Sequence, residues 1–264
     1  MIEQLLIPDK SSIFDESLIP NVDHLITEDD MPVANFASAK QQRLLTSTLY
    51  STLTDVVFLA EANVGIYHTI KNPPIVPDVF VSFDVEVPEN WREKQHRCYM
   101  IWNFGKPPEI AIEIVSNTVG DELGKKRAIY EKMRVIYYIV YDPSHHISPE
   151  TLRIFELSGR HYREIASHWL ESVNLGLILW DGEFEGRSDT WLRWCDRDKN
   201  IFSTGDERAN QEQQRADQQQ LKAEKIQQAA IVQFLKLGLT AEQIAETLSL
   251  SIDEINRASD RIVE

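Results

Sequence analysis

Apolar residues recur at helical spacing through Ala39, Leu44, Leu45 and Leu49, which predicts a helix from Ser38 to about Leu53. Short extended segments follow it. Val56 to Leu59, Val64 to His68, Val79 to Phe83, Tyr99 to Phe104, Ile110 to Val115, Ile136 to Tyr141, Leu152 to Leu157 and Tyr162 to Ile165 all read as strands. They are rich in β-branched and aromatic residues and are separated by Pro, Gly, Asn and Asp. A second helix, Asp121 to Met133, interrupts the series. Strands alternating with few helices predict an α/β domain.

The flanks have different signatures. Residues 1–35 carry no periodicity and end in the acidic run Glu28, Asp29, Asp30 before Met31 and Pro32, so an irregular leader is expected. After Trp194 the composition changes, and Gln, Glu, Asp and Arg crowd residues 206–228 with few large apolar side chains, as in a solvated helix or linker. Further on, Thr240 with Gln243 and Ser251 with Glu254 fit the capping box, in which a hydroxyl caps the helix and the third residue reaches back. Two short helices joined through Leu248, Ser249 and Leu250 are implied. The expected organisation is a leader (1–35), a catalytic-sized domain (36–195), a charged Gln/Glu-rich helical linker (196–235) and a helix-turn-helix-like tail (236–264).

Composition narrows the classes. With 264 residues, 42% hydrophobic and 26% charged, the chain can bury one good core with an appendage. It has no apolar run long enough for a membrane span and no signal pattern at its start, so a cytoplasmic protein is expected. Cys98 and Cys195 lie far apart without metal-ligand spacing and read as buried thiols. The formal charge of −15 opposes phosphate binding, which depends on Lys and Arg contacts that release counterions. A nucleic-acid site on such a chain needs a bound cation and a local basic edge.

Three residues carry candidate chemistry. Pro77 sets Asp78 at the start of the strand Val79 to Phe83, where a missing N–H is tolerated. In Ile110 to Val115 the three isoleucines share one face, and Glu113 shares the other with Ala111 and Val115. A mid-strand carboxylate among apolar neighbours costs several kcal/mol unless it is paired with a cation, whether Lys, Arg or a metal. On the helical wheel Leu123, Ile129, Tyr130 and Met133 form the apolar stripe of the second helix, and Lys126 falls in the middle of it. Lys126 either snorkels to water or reaches carboxylates displayed by the preceding strand.

Pro77-Asp78, then Pro108 to Thr118 around Glu113, then Glu122 to Tyr130 around Lys126, then Tyr137 to Pro143, together resemble a restriction-endonuclease domain family. The likeness extends from about Ile26 to Trp194. The family has restriction endonuclease-like folds and belongs to the PD-(D/E)XK nuclease superfamily. The resemblance implies a mixed β-sheet core flanked by helices, here with a C-terminal helical extension. It further implies a metal-dependent DNA endonuclease in which Asp78, Glu113 and the main-chain carbonyl of Ile114 bind Mg²⁺ or Mn²⁺. The superfamily's usual lysine, two residues after the glutamate, is replaced by Val115, and Lys126 stands where some members carry it on the following helix. Ala39 stands where relatives tend to have an acidic residue on the first helix.

Phosphate contacts are expected from Lys125, Arg127, Lys132 and Arg134 beside the site and from Arg92, Lys94, His96 and Arg97 before Cys98. Cutting two strands suggests a homodimer. The alternative is a non-catalytic DNA-binding or regulatory protein that acts through the C-terminal helices or a dimer surface. Asp253 and Glu254 at the start of the last helix weigh against DNA reading there, because they repel phosphate.

Overall fold

The computed structural model describes residues 35–69, 71–92, 96–118 and 120–260, with the backbone alone for the last four. Residues 1–34 of the expected leader and Lys94 lie outside the described residues. The chain divides into two compact units, Met1–Ile201 and Phe202–Glu264.

The first unit begins with α1 (Phe36–Thr52), capped by the Asn35 side chain, which accepts the Ser38 N–H at 2.8 Å. A six-stranded sheet follows in the order β1 (Phe58–Ala62), β3 (Val79–Phe83), β5 (Ile110–Ile114), β6 (Tyr137–Tyr141), β7 (Leu152–Ser158) and β8 (His161–Ile165). All of its pairs are antiparallel except β5 with β6. The sheet is therefore mixed, and the parallel pair requires a crossover. That crossover is a π-helical turn, Glu122–Lys126, running into α3 (Arg127–Met133). Every residue of β5 and β6 is buried, as expected of central strands covered on both faces. Ala111, Val115, Tyr130, Met133, Tyr138, Val140 and Phe155 share one core cluster, so the Ala111, Glu113 and Val115 face of β5 looks toward α3.

The α/β class, the mixed sheet and the helical C-terminus agree with expectation, but two local readings need correction. Tyr99 to Phe104 is not one strand. Only Tyr99–Met100 (β4) pairs, in parallel with β2 (Ile66–Tyr67), and Ile101–Phe104 turns into the short helix α2. Gly105, with φ +76°, closes that turn, and the turn lets Phe104 stack on Tyr99 with ring centroids 4.3 Å apart. The second correction is a sheet that periodicity did not reveal. It comprises β9 (Trp169–Leu170), β10 (Leu175–Phe184) and β11 (Arg187–Cys195). Its hairpin turns on Glu185 and Gly186, both at positive φ, a two-residue turn made without the usual Asn-Gly signal.

The hairpin is tied to α1 through side chains. Gln41 donates to the Leu192 carbonyl at 2.7 Å and accepts the Leu192 N–H at 3.0 Å, while Trp194 donates to the Leu45 carbonyl at 2.9 Å. The amide of Gln41 thus pairs with the edge strand β11 as a neighbouring strand would. Lys40 and Arg43 of the same helix hold Glu185 at the hairpin tip.

The second unit contains α4 (Gly205–Lys236), α5 (Ala241–Leu248) and α6 (Ile252–Asp260). Ile231, Ile244, Ala245 and Ile255 form its buried core. Both expected capping interactions are present, Thr240 with Gln243 and Ser251 with Glu254. Among the described residues no helix is long and apolar enough to cross a membrane. Cys195 is buried and Cys98 partly so, and both are free thiols.

Replacing Gln41 by Ala leaves both backbone groups of Leu192 unpaired in a buried place. The expected loss is about 2 to 4 kcal/mol of unfolding free energy, measurable by urea denaturation; a variant as stable as wild type would contradict this account of how α1 holds the hairpin.

Candidate active site

Strand register brings the two acidic residues together. Val79 lies opposite Ile112, and the antiparallel register continued by one residue sets Asp78 across from Glu113. Side chains directly opposite in such a pair share a face. Asp78 Oδ2 accepts the Ile114 N–H at 2.7 Å, and its Oδ1 accepts from Gln42 Nε2 at 2.8 Å. Gln42 is in turn held by Asn63, whose Nδ2 donates to Gln42 Oε1 at 2.8 Å. Asn63 follows β1 at φ +57°, a conformation that asparagine adopts more readily than most residues.

Glu113 is 2% exposed and both its oxygens are engaged. Tyr130 donates its hydroxyl to Oε1 at 2.8 Å, and Lys126 Nζ lies 3.0 Å from Oε2. Lys126 also lies 3.1 Å from Glu122 Oε1. Glu122, Lys126 and Tyr130 recur every four residues, so they form one stripe facing β5. The winding is π-helical here, with Lys126 N–H donating to the Asp121 carbonyl five residues back. Glu122 is fixed further by Tyr138, whose hydroxyl donates to its main-chain carbonyl at 2.8 Å.

Electrostatics follow from burial of several carboxylates around one lysine. Burial pushes the Glu113 carboxyl up to about 8, and Asp78 adds to this while Lys126 and Tyr130 oppose it. Asp78 is also raised, by burial first, against the Ile114 N–H, Gln42 and Lys126. For Lys126, burial alone would favour the neutral form, but the charges and hydrogen bonds of Glu113 and Glu122 outweigh it and hold the pKa above its usual value. Lys126 is therefore a cation at neutral pH.

Gln42, Asp78, Glu113, Glu122 and Lys126 line a cleft of about 920 Å³ with His68, Asn117, Asp121, Lys125 and Lys132. The structure brings Asp78, Glu113, Ile114, Lys126 and Lys125 to this one cleft. It places Arg92, His96 and Arg97 elsewhere, around a separate apolar cavity lined by Val64, Phe80, Trp91 and Phe104. Arg127 lies over the Phe155 ring, 5.2 Å from its centroid, and Arg134 donates to the Gly159 carbonyl. Gln42, Asn63, Glu122, Tyr130 and His68 were not singled out from sequence. The four-residue spacing of Glu122, Lys126 and Tyr130 carried a signal for two of them, but the others depend on which strands pair.

Among the described residues no group of three or more His, Cys, Asp or Glu side chains is arranged to hold a metal ion. Two carboxylates on one cleft, Asp78 and Glu113, suit a hard cation that keeps most of its waters, as Mg²⁺ does. One oxygen of Glu122 is buried without a hydrogen-bond partner among the described residues, while Lys126 engages the other, so the cleft keeps an unused buried acceptor.

A family model described as "Putative restriction endonuclease", Uma2, matches residues 26–179. The chain belongs to the Uma2 family. The Uma2 match includes Asp78, Glu113 and Lys126 and ends within β10. The chain is also similar to a solved structure of a "putative nuclease belonging to DUF820 from Anabaena variabilis ATCC 29413", at 16% sequence identity and a TM-score of 0.38, over 53% of this chain and 72% of that one. No curated protein matches the chain.

The raised Glu113 pKa makes stability depend on pH with a definite sign. The folded state binds this proton more tightly than the unfolded state, so its stabilising contribution is complete below the unfolded value of about 4.5 and is lost as pH rises through about 8. Urea denaturation in the absence of divalent cations should show a fall on the order of a few kcal/mol across that window, largely abolished in Glu113→Gln. A pH-independent difference between the two proteins would contradict it.

Proposed function

We propose that this Uma2-family chain is a divalent-metal-dependent DNA endonuclease that hydrolyses phosphodiester bonds at the cleft holding Asp78, Glu113 and Lys126. The observation that carries this reading is the convergence of those three side chains from two paired strands and the crossover helix. Family membership supports the nuclease class.

Asp78, Glu113 and the main-chain carbonyl of Ile114 would hold Mg²⁺ or Mn²⁺. When bound, the metal supplies acidity to a coordinated water and positive charge to the phosphate. Gln42 and the Ile114 N–H aim the Asp78 carboxylate, and Tyr130 does the same for Glu113. These contacts fix both groups before substrate arrives, which avoids reorganisation during the reaction. Lys126 acts as a cation toward the scissile phosphate. The acidic neighbours that keep it protonated make it a poor general base near neutral pH.

Lys125 and Lys132, exposed where they line the cleft, supply backbone phosphate contacts. Together with a bound divalent cation they would supply the local positive charge that phosphate binding needs on a chain of net charge −15. Two copies of the chain would present two such clefts, one for each strand of a duplex.

The test is cleavage of duplex DNA by purified protein with Mg²⁺ or Mn²⁺. Asp78→Ala and Glu113→Ala should each lower the rate by at least about 100-fold, and Lys126→Ala by a similar factor. Undiminished cleavage by the carboxylate variants would remove the site from the reaction. Absent cleavage, with DNA binding lost on deletion of residues 205–264, would favour a binding protein acting through its C-terminal helices.

A further inference from the structure

Glu122 is 7% exposed, and its two oxygens are unequal. Oε1 lies 3.1 Å from Lys126 Nζ, whereas Oε2 is buried with no hydrogen-bond partner among the described residues. Burying a carboxyl oxygen without a partner is unfavourable, so this arrangement needs compensation. Its position is closely set. Tyr138 anchors the Glu122 carbonyl, and the carboxylate lies against Gly120, where a Cβ would stand 2.0 Å from Oε1.

The partner that could use the second oxygen is already beside it. The Lys126 ammonium has three donors and stands between Glu113 Oε2 at 3.0 Å and Glu122 Oε1 at 3.1 Å. A divalent cation taking Glu113 competes with an ammonium at contact distance for that carboxylate, because two like charges so close repel. Cation binding therefore drives Lys126 away from Glu113. Glu122, four residues before it on the same face, offers an acceptor that a rotation about the lysine side chain can reach without backbone movement.

We infer that Glu122 is a positioning residue that takes the Lys126 ammonium when a divalent cation binds at Asp78 and Glu113, so that cation binding exchanges the lysine from one glutamate to the other. This rests on the reading of Asp78 and Glu113 as the cation site. Glu122 thereby lowers the cost of evicting the lysine and keeps its charge beside the phosphate. Without Glu122 the ammonium is committed to Glu113, and the fraction of protein competent to bind the cation falls.

Calorimetric titration of the full-length protein with Mn²⁺, without DNA, tests this independently of cleavage. Glu122→Gln should weaken Mn²⁺ binding by about tenfold, since apparent affinity falls with the competent fraction. Lys126→Met should tighten binding, because the competing ammonium is gone. In the Lys126→Met background, Glu122→Gln should have little further effect. Glu122→Asp, which keeps the carboxylate, should recover part of the loss and serves if the Gln variant folds poorly. Equal weakening by Glu122→Gln in both backgrounds would mean that Glu122 acts on the cation directly, and would overturn the exchange. Unchanged affinity in Glu122→Gln would also overturn it, while leaving the cation site standing. Wild-type protein that binds no Mn²⁺ would overturn the cation site itself and the exchange with it.

Discussion

Burial of Glu113 in the centre of β5 is the constraint from which the rest of the cleft follows. A carboxyl at 2% exposure on a strand buried along its whole length must find its partners inside the protein. The parallel pairing of β5 with β6 forces a crossover, and the crossover carries Lys126 and Tyr130 over the same face of the strand. Antiparallel pairing with β3 brings Asp78 from the other side. The site is thus assembled from one mixed-sheet neighbourhood, with each group fixed by a different structural rule.

The cost of this assembly is visible in its electrostatics. Asp78 and Glu113 are both harder to ionise than free carboxyls, and Lys126 is harder to neutralise than a free amine. Each shift has burial as its largest contribution, yet the lysine moves against it because two glutamates flank its ammonium. A site in this condition stores unfavourable charge in the folded state, an arrangement common where function takes precedence over stability.

Much of this was legible in sequence, for identifiable reasons. The alternation through Ile110 to Val115 exposed Glu113 as misplaced among apolar neighbours, and the wheel over Asp121 to Met133 found Lys126 in the buried stripe despite the local π-helical winding. Both inferences needed only local geometry. Gln42 and Asn63 were hidden because their relevance depends on α1 and the end of β1 meeting Asp78, contacts that no local period encodes. The β10–β11 hairpin was missed for a related reason. Asp181, Gly182 and Glu183 interrupt its apolar pattern, and its Glu185-Gly186 turn lacks the common signal. Arg92 and Arg97 read as phosphate contacts from charge alone, and the fold sets them around a second cavity, which charge pattern does not encode.

The adjacent glutamines of α1 point to a consequence for how this chain can change over time. Gln41 pairs with the edge of β11 and Gln42 aims Asp78, so two successive residues, about 100° apart around the helix, serve two separate parts of the fold. Substitutions elsewhere on α1 can be absorbed one at a time. A single-residue insertion or deletion between Gln42 and Leu44 cannot, because it rotates both amides by about 100° against the buried Leu44, Leu45 and Leu49 that seat the helix. The spacing from Gln41 to Leu49 should therefore resist drift more strongly than the exposed residue identities of α1 do.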